Sequence, residues 1–391
     1  MKPLLSIVIP TRNRQNYAYS SIKSILSINH QSLELIIIDN SDSTKLEKLI
    51  ENITDKRLVY HYNNNPLSMV HNFNLSMKYV NGKYVCFIGD DDGINTETMK
   101  IVEWANENNL DAIIPSNPVT YSWPSPKNNG EMIIYPFDRK IVKEDVKKNL
   151  NLFFKSGAIY YRDYGLPKVY HGVVKKEYFD KVFDKLGYYF GGLSPDIFAS
   201  IAISTFHPKN VVSIDYPMTI AGTSYESDQT HETDEAKNMQ LNNAPHFKNR
   251  GPYKWSKYVP SVYSVSSIWA ESGIHALEDL SRTDLIHKIN INTMVVEIGL
   301  ESPQNEKQIL DTFFNPKNKL VKHLRYHLIK NSLRFKKLLK RIISKFLRII
   351  LGNKTITINK IQSIEIAIKK MSNYINKNNL NIDEEILRKK L

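Results

Sequence analysis

The chain has 391 residues, 41% of them hydrophobic and 24% charged, the balance of a soluble globular protein with room for two or three domains and a large core. Its single cysteine, Cys86, excludes an internal disulfide and gives no sign of an oxidising compartment. The net charge of +13 is confined to one segment: Thr312 to Ile364 holds 14 Lys and Arg and no Asp or Glu, and the rest of the chain carries 39 basic and 40 acidic residues.

Leu4 to Pro10 reads as a buried strand and ends in the polar turn Thr11-Arg12-Asn13-Arg14. Pro10 and Arg12 break this apolar run, so it is not expected to be a signal peptide. Tyr17 to Ile28 follows helical spacing. Glu34 to Ser41 is a second apolar strand, ending at a carboxylate. Leu46 to Ile53 reads as helix, Leu58 to Tyr62 as strand and Met69 to Tyr79 as helix. Gly82 to Asp92 is an apolar strand that runs into Asp90-Asp91-Asp92-Gly93, with Cys86 as a small buried hydrophobe within it. Strands alternating with helices predict a mostly parallel, helix-covered sheet.

Three adjacent carboxylates repel one another, and their stacking at a strand end calls for a cation. Hard divalent ions take oxygen ligands and bridge to phosphates, and open α/β sheets bind ligands at the carboxyl ends of their strands. The run therefore reads as a metal-diphosphate site; the competing reading is an acidic loop that caps the following helix.

Three blocks in this order, Ser6 to Arg14, Leu35 to Ser41 and Phe87 to Asp92, resemble the family 2 glycosyltransferases of the GT-A fold. The resemblance spans roughly the first 100 residues and thins toward residue 225, about the size of one domain. It implies an α/β fold with a GT-A-type, mostly parallel sheet with helices on both faces, followed here by a mainly helical carboxyl-terminal region. It implies that Pro10, Thr11 and Arg14 cradle the nucleobase and that Asp39 accepts a hydrogen bond from it. It sets Asn64 and His71 where relatives carry an Asn and an Arg against the nucleotide. Asp90-Asp91-Asp92 matches the Asp-x-Asp motif, displaced by one residue because Gly89 stands where the family has Asp. Asp92 is then expected to bind the metal (Mn or Mg), with Asp90 and Asp91 on the sugar or ribose hydroxyls.

Asp111 to Pro115, Val169 to Val174 and Val211 to Tyr216 read as further strands, with a helix from Lys176 to Leu186. Pro195-Asp196 opens another helix, ordinary helix-entry chemistry. Relatives place a general base here, usually within a Glu-Asp pair, which implies Asp196 as base and an inverting reaction. Ile220 to His231 reads as a polar loop over the donor, with His231 a further candidate metal ligand. His207 and His246 are weaker candidates of the same kind.

Tyr225 to Tyr258 is polar and reads as a linker. Tyr258 to Ala276, Asp284 to Gly299 and Gln304 to Phe314 read as helices, as do Ile356 to Ile375 and Ile382 to Leu391. Between them Leu324, Leu328, Phe335, Leu339, Ile342, Phe346 and Ile349 recur at helical spacing among Lys and Arg. A basic amphipathic helix of this kind reads as an element for an anionic membrane surface; packing on the catalytic domain is the alternative. Base-stacking aromatics are sparse, which speaks against nucleic acid. No apolar run of about 18 residues predicts a membrane span.

The expected organisation is a catalytic domain over 1–225 (nucleotide-binding half 1–100, acceptor half 101–225), a linker and helical region over 226–311, and the basic helical region over 312–391. The expected function is transfer of a sugar from a nucleotide-diphosphate sugar, read as a UDP-sugar, to a glycan or lipid-linked acceptor in bacterial surface polysaccharide synthesis. The expected location is cytoplasmic, on the inner face of the membrane through 312–364; a homo-oligomer is left open. The alternatives are a nucleotidyltransferase that forms sugar nucleotides, disfavoured because Thr11 to Arg14 lacks a phosphate-loop glycine, and a non-catalytic polymer- or membrane-binding protein.

Overall fold

The computed structural model describes residues 2–225, 245–314, 319–350 and 355–388. The amino-terminal alternation is the expected one: β1 (Leu5–Thr11), α1 (Gln15–Leu26), β2 (Leu33–Asp39), α2 (Lys45–Ile50), β3 (Leu58–Tyr62), α3 (Met69–Ser76) and β4 (Tyr84–Phe87). There follow β5 (Gly93–Ile94), α4 (Thr98–Glu107), β6 (Ala112–Pro115), β7 (Val119–Ser122), β8 (Glu131–Ile134), β9 (Ile141–Glu144) and α5 (Val146–Lys155). Next come β10 (Val173–Lys175), α6 (Lys176–Leu186), α7 (Pro195–Ser204), β11 (Val211–Ile214) and β12 (Thr219–Thr223).

The main sheet has the order β3-β2-β1-β4-β10-β6-β11-β9. All its strands run parallel except β10 and β9, which are reversed. The continuous apolar runs of β1 and β2 divide by alternation. Val8, Ile36 and Ile38 enter one core, and Ile7, Ile9, Leu35 and Ile37 enter the other, as expected of strands covered on both faces. This is the GT-A-type α/β class read from the sequence. The register pairs Thr11 with Asp39 and Val8 with Phe87, so the three motif blocks end at one edge of the sheet.

The carboxyl-terminal region is mainly helical: α8 (Val265–Asp279), α9 (Thr283–Ile286), α10 (Ile291–Glu301), α11 (Glu306–Phe313), α12 (Lys319–Ile350), β13 (Ile356–Asn359), α13 (Ile364–Lys377) and α14 (Glu384–Arg388). Two sequence expectations are corrected here. Ile356 to Ile375 is not all helix: Ile356-Thr357-Ile358-Asn359 alternates half-buried and exposed residues and pairs with β8. Ile220 to Thr223 is not loop but part of β12, which pairs with β5 and β7. Strands β13-β8-β7-β12-β5 form a second sheet beside the first. Ile361, Ile364, Met371 and Ile375 are buried in the same core as Ile7 and Ile37, so the chain returns to its amino-terminal sheet after α12.

Candidate active site

The loop after β4 brings Asp90, Asp91 and Asp92 to the strand ends, and all three are buried. Its backbone is fixed from outside. Ser21 donates to the carbonyls of Asp90 (2.9 Å) and Asp92 (2.6 Å), and the Trp123 indole donates to that of Asp91 (2.8 Å). Strand β12 closes over the loop at Gly222, where a Cβ would fall 1.9 Å from the Asp91 carbonyl oxygen. Only glycine permits that approach.

The three carboxylates have different surroundings. Thr11, at the end of β1, donates to Asp90 Oδ2 (2.6 Å). Arg14 lies between two of them, its Nη1 3.0 Å from Asp90 Oδ1 and its Nη2 2.5 Å from Asp91 Oδ2. The Ser224 amide also donates to Asp91 Oδ2 (3.0 Å). Asp92 turns away. Its Oδ1 accepts from the Gly222 amide (2.7 Å) and its Oδ2 from the Gly89 amide (2.6 Å) and the Tyr170 hydroxyl (3.0 Å), with His171 Nε2 at 3.2 Å.

Burial, together with its carboxylate neighbours, pushes Asp90 up to about 7 against the pull of Arg14. Asp91 is raised for the same reasons, burial first and then Asp92. Asp92 is lowered: burial opposes its ionisation, but His171 and the amides of Gly222 and Gly89 outweigh it. Arg14 is raised although burial works against its charge, because Asp90 and Asp91 face it.

The Gly89 position explains the displaced motif. A Cβ there would lie 2.6 Å from the Tyr170 hydroxyl, so Tyr170 fills the space that a family-type Asp side chain would need. Tyr170 and His171, which the sequence offered only as part of a strand, are site residues by contact. His171 has φ +59° and orients its ring by a 2.8 Å contact from Nδ1 to Thr219 Oγ1.

Asp39 is buried beside this cluster; its carboxylate accepts from the Ser41 amide (2.9 Å) and hydroxyl and from Tyr60 (3.0 Å). Pro10 precedes Thr11 on β1. Asn64 is exposed in the loop before α3, and His71 is exposed on α3, its amide capped by Ser68 (3.2 Å). His71 lines a cleft described below and, among the described residues, makes no hydrogen bond to Asp39 or the 90–92 loop. Asp196 stands in the first turn of α7 after Pro195, where it accepts from Tyr161 (2.8 Å) and Ser194 (2.5 Å). Burial and the facing Asp196 raise Tyr161 well above the ordinary phenol range, so Tyr161 stays the donor. His231 lies outside the described residues.

A divalent ion fits this arrangement at Asp90 and Asp91. Asp90 Oδ1 is buried and meets only the Arg14 guanidinium, at 3.0 Å, and two raised carboxylates share that one guanidinium. Asp92 has both oxygens occupied by donors. Among the described residues no group of three or more His, Cys, Asp or Glu could hold an ion. Mg²⁺ typically takes one or two carboxylates and completes its shell with water and substrate phosphate.

Residues 6–165 match the family model described as Glycosyl transferase family 2. The match covers the amino-terminal part of the chain, less than half of its length. An uncharacterized glycosyltransferase of Rickettsia conorii is 33% identical over 108 residues, 27% of this chain and 18% of that protein. The Escherichia coli UDP-Glc:alpha-D-GlcNAc-diphosphoundecaprenol beta-1,3-glucosyltransferase WfaP is 30% identical over 89 residues, 23% of this chain and 36% of that protein. The match thus spans under a fifth of the Rickettsia relative's length. The crystal structure of S. aureus TarS 1-349 in complex with UDP-GlcNAc is similar at 13% identity and a TM-score of 0.48, over 85% of this chain and 92% of that one.

Proposed function

We propose that this protein is an inverting, metal-assisted glycosyltransferase that moves a sugar from a UDP-sugar to a glycan or lipid-linked acceptor in surface polysaccharide synthesis. The observation that carries the reading is the pair of buried, raised carboxylates Asp90 and Asp91 sharing Arg14 at the carboxyl edge of a GT-A-type sheet. The diphosphoundecaprenol acceptor and UDP donor in the name of the WfaP relative support the acceptor and donor classes.

In this reading Thr11, Arg14 and Asp39 hold the nucleotide at the ends of β1 and β2. A divalent ion on Asp90 and Asp91 would supply positive charge for the leaving diphosphate. Asp196, held by Tyr161 and Ser194, takes the proton of the acceptor hydroxyl while that oxygen attacks the anomeric carbon. The new carbon–oxygen bond forms as the bond to the diphosphate breaks, and UDP leaves. One displacement inverts the anomeric centre. Asp92 acts through the loop, pinning it to Gly222 and Gly89.

The proposed organisation is a catalytic domain over 1–225 and helical regions over 226–311 and 312–391, with 356–388 folded back on the catalytic domain. Helix α12 is proposed to lie on the anionic inner face of the cell membrane. Lys330 pairs with Glu306 (2.9 Å) and Lys337 with the buried Glu297, which fixes one flank of the helix to α11 and α10. Leu324, Leu328, Phe335 and Ile342 stay more than half exposed in one row. An apolar row on a helix that carries 11 Lys and Arg and no Asp or Glu complements an anionic lipid surface. No described helix is long and apolar enough to cross a membrane.

The test is a panel of nucleotide sugars, with and without Mn²⁺, read by thermal stabilisation of the protein. Stabilisation by UDP and one UDP-sugar in Mn²⁺ is the expected result. No response to any nucleotide would remove the enzyme reading in favour of a non-catalytic one.

A further inference from the structure

Between α3 and the loop 187–192 lies an open cleft of about 720 Å³. None of Thr11, Arg14, Asp39, Asp90, Asp91 or Asp196 lines it. Its lining is mixed: apolar and aromatic side chains (Val70, Leu75, Phe183, Tyr189 and Phe190) lie among basic ones (His61, His71, Lys78, Arg250 and His275), and α3 contributes both kinds. Asp279 is the one carboxylate in the wall, and it already accepts from the Tyr188 hydroxyl (2.6 Å).

Two of the basic groups are left with donors to spare. Arg250 Nη1 is buried without a hydrogen-bond partner among the described residues, and its guanidinium stacks over Tyr253 at 4.7 Å. Glu271, the nearby carboxylate, forms no ion pair with it; Glu271 accepts from Tyr253 (2.8 Å) and the Ser256 amide (3.0 Å) instead. His275 Nδ1 is also buried and unbonded, with Glu278 and Asp279 no nearer than 3.9 Å. A buried guanidinium donor without a partner is costly, and an anion is the ligand that satisfies it best. The apolar and aromatic residues of the same lining suit a ligand that carries more than a small hydrated ion.

We propose that this cleft is a second anion site, which takes the phosphate or diphosphate end of the acceptor against Arg250 and His275, both of which pack on Tyr253, while the attached apolar or glycan portion lies along the aromatic residues of the lining. The assignment to the acceptor rests on the transferase reading; the anion site itself does not. An acceptor anchored there by its charged end is positioned independently of the donor, so the two substrates bind together.

The test is calorimetric titration of the full chain with inorganic pyrophosphate, in saturating UDP with its divalent ion present in excess. Pyrophosphate is expected to bind in the presence of UDP. Arg250→Met is expected to weaken it about tenfold or more, the scale of one charge-assisted contact, with UDP affinity unchanged. Arg250→Lys and His275→Ala repeat the measurement if the first variant melts early. No pyrophosphate binding, displacement by UDP, or equal binding by all three variants would overturn the site. Loss of UDP binding with pyrophosphate binding intact would instead sink the donor reading and leave the cleft standing. Farnesyl diphosphate binding more tightly than pyrophosphate assigns the anion to a lipid-linked carrier, and equal binding assigns it to a phosphate-bearing glycan.

Discussion

Tyr161 donates its hydroxyl to Asp196 across 2.8 Å, from a buried position in which its own ionisation is strongly disfavoured. The phenol fixes one carboxylate oxygen and Ser194 the other, which orients Asp196 at the first turn of α7 for its proposed role as base. Asp196→Asn keeps the shape but removes the basic oxygen. It is expected to bind UDP as wild type does and to lose about 10²–10⁴ in turnover, the usual scale of general-base catalysis. Near wild-type turnover would make Asp196 a helix-entry residue and move the base elsewhere.

The acidic loop separates into two roles that substitution can distinguish. Asp90→Asn and Asp91→Asn are each expected to weaken Mn²⁺-dependent UDP binding about tenfold or more. Asp92→Asn is expected to act on the fold, costing on the order of 2 kcal/mol, because it disturbs a buried carboxylate that accepts from Gly222, Gly89 and Tyr170. Denaturant midpoints and UDP calorimetry on the three variants decide this. Loss of metal dependence in Asp92→Asn alone would return the metal to that residue.

Burial pushes Glu271 up to about 7, more than its bonds from Ser256 and Tyr253 can offset. The folded protein thus holds this proton more tightly than the unfolded chain. The associated stability is fully present below about pH 4.5 and is lost as pH rises through 7. Glu271→Gln is expected to remove that loss, on the order of 1–3 kcal/mol at pH 8, with little change at pH 5. A melting difference that does not grow with pH would show that Glu271 is ionised at no cost.

The exposed row on α12 offers a test of membrane binding that spares the core. Leu324, Leu328, Phe335 and Ile342 changed together to Gln should leave the fold and UDP affinity intact. The variant should fail to co-sediment with phosphatidylglycerol vesicles that pellet the wild type. Wild-type binding should also weaken with salt, since exposed charges are screened beyond about 10 Å at 0.1 M. Equal pelleting of the two proteins would end the membrane reading. Truncation after Asp311 is the poorer experiment. It removes the buried Ile364, Met371 and Ile375, each contributing about 1.5–3 kcal/mol, which is comparable in sum to a whole domain's stability.

The nucleotide half was readable because its signals are local. Ile7 to Pro10 and Leu35 to Ile38 are unbroken apolar runs, and each ends in a polar residue that the parallel register carries to one edge. The strands Val119–Ser122, Glu131–Ile134 and Ile141–Glu144 are four residues each, too short for their period to stand out, and they take their identity from partners far along the chain. Ile356 to Asn359 read as helix because Ile364 onward is helical; only its pairing with β8, more than 200 residues earlier, makes it a strand. In the site, Asp90 and Asp91 announce themselves by repulsion. Tyr170 and His171 do not, because nothing local says that the segment before β10 bridges to Phe87 in parallel and delivers them to Asp92.

The pairing of β13 with β8 also sets a schedule for the nascent chain. The ribosome delivers Glu131 to Ile134 long before Ile356 to Asn359, so β8 has an unpaired edge for most of synthesis. Open edges recruit strands from other chains, and long-range pairings close slowly. The amino-terminal strands can pair early, but the core behind α1 stays open until Ile364 and Met371 arrive from the far side of α12. Maturation of this protein is therefore gated by these late elements, and a chain stalled within the basic helix would carry the proposed nucleotide site on an unfinished, aggregation-prone body.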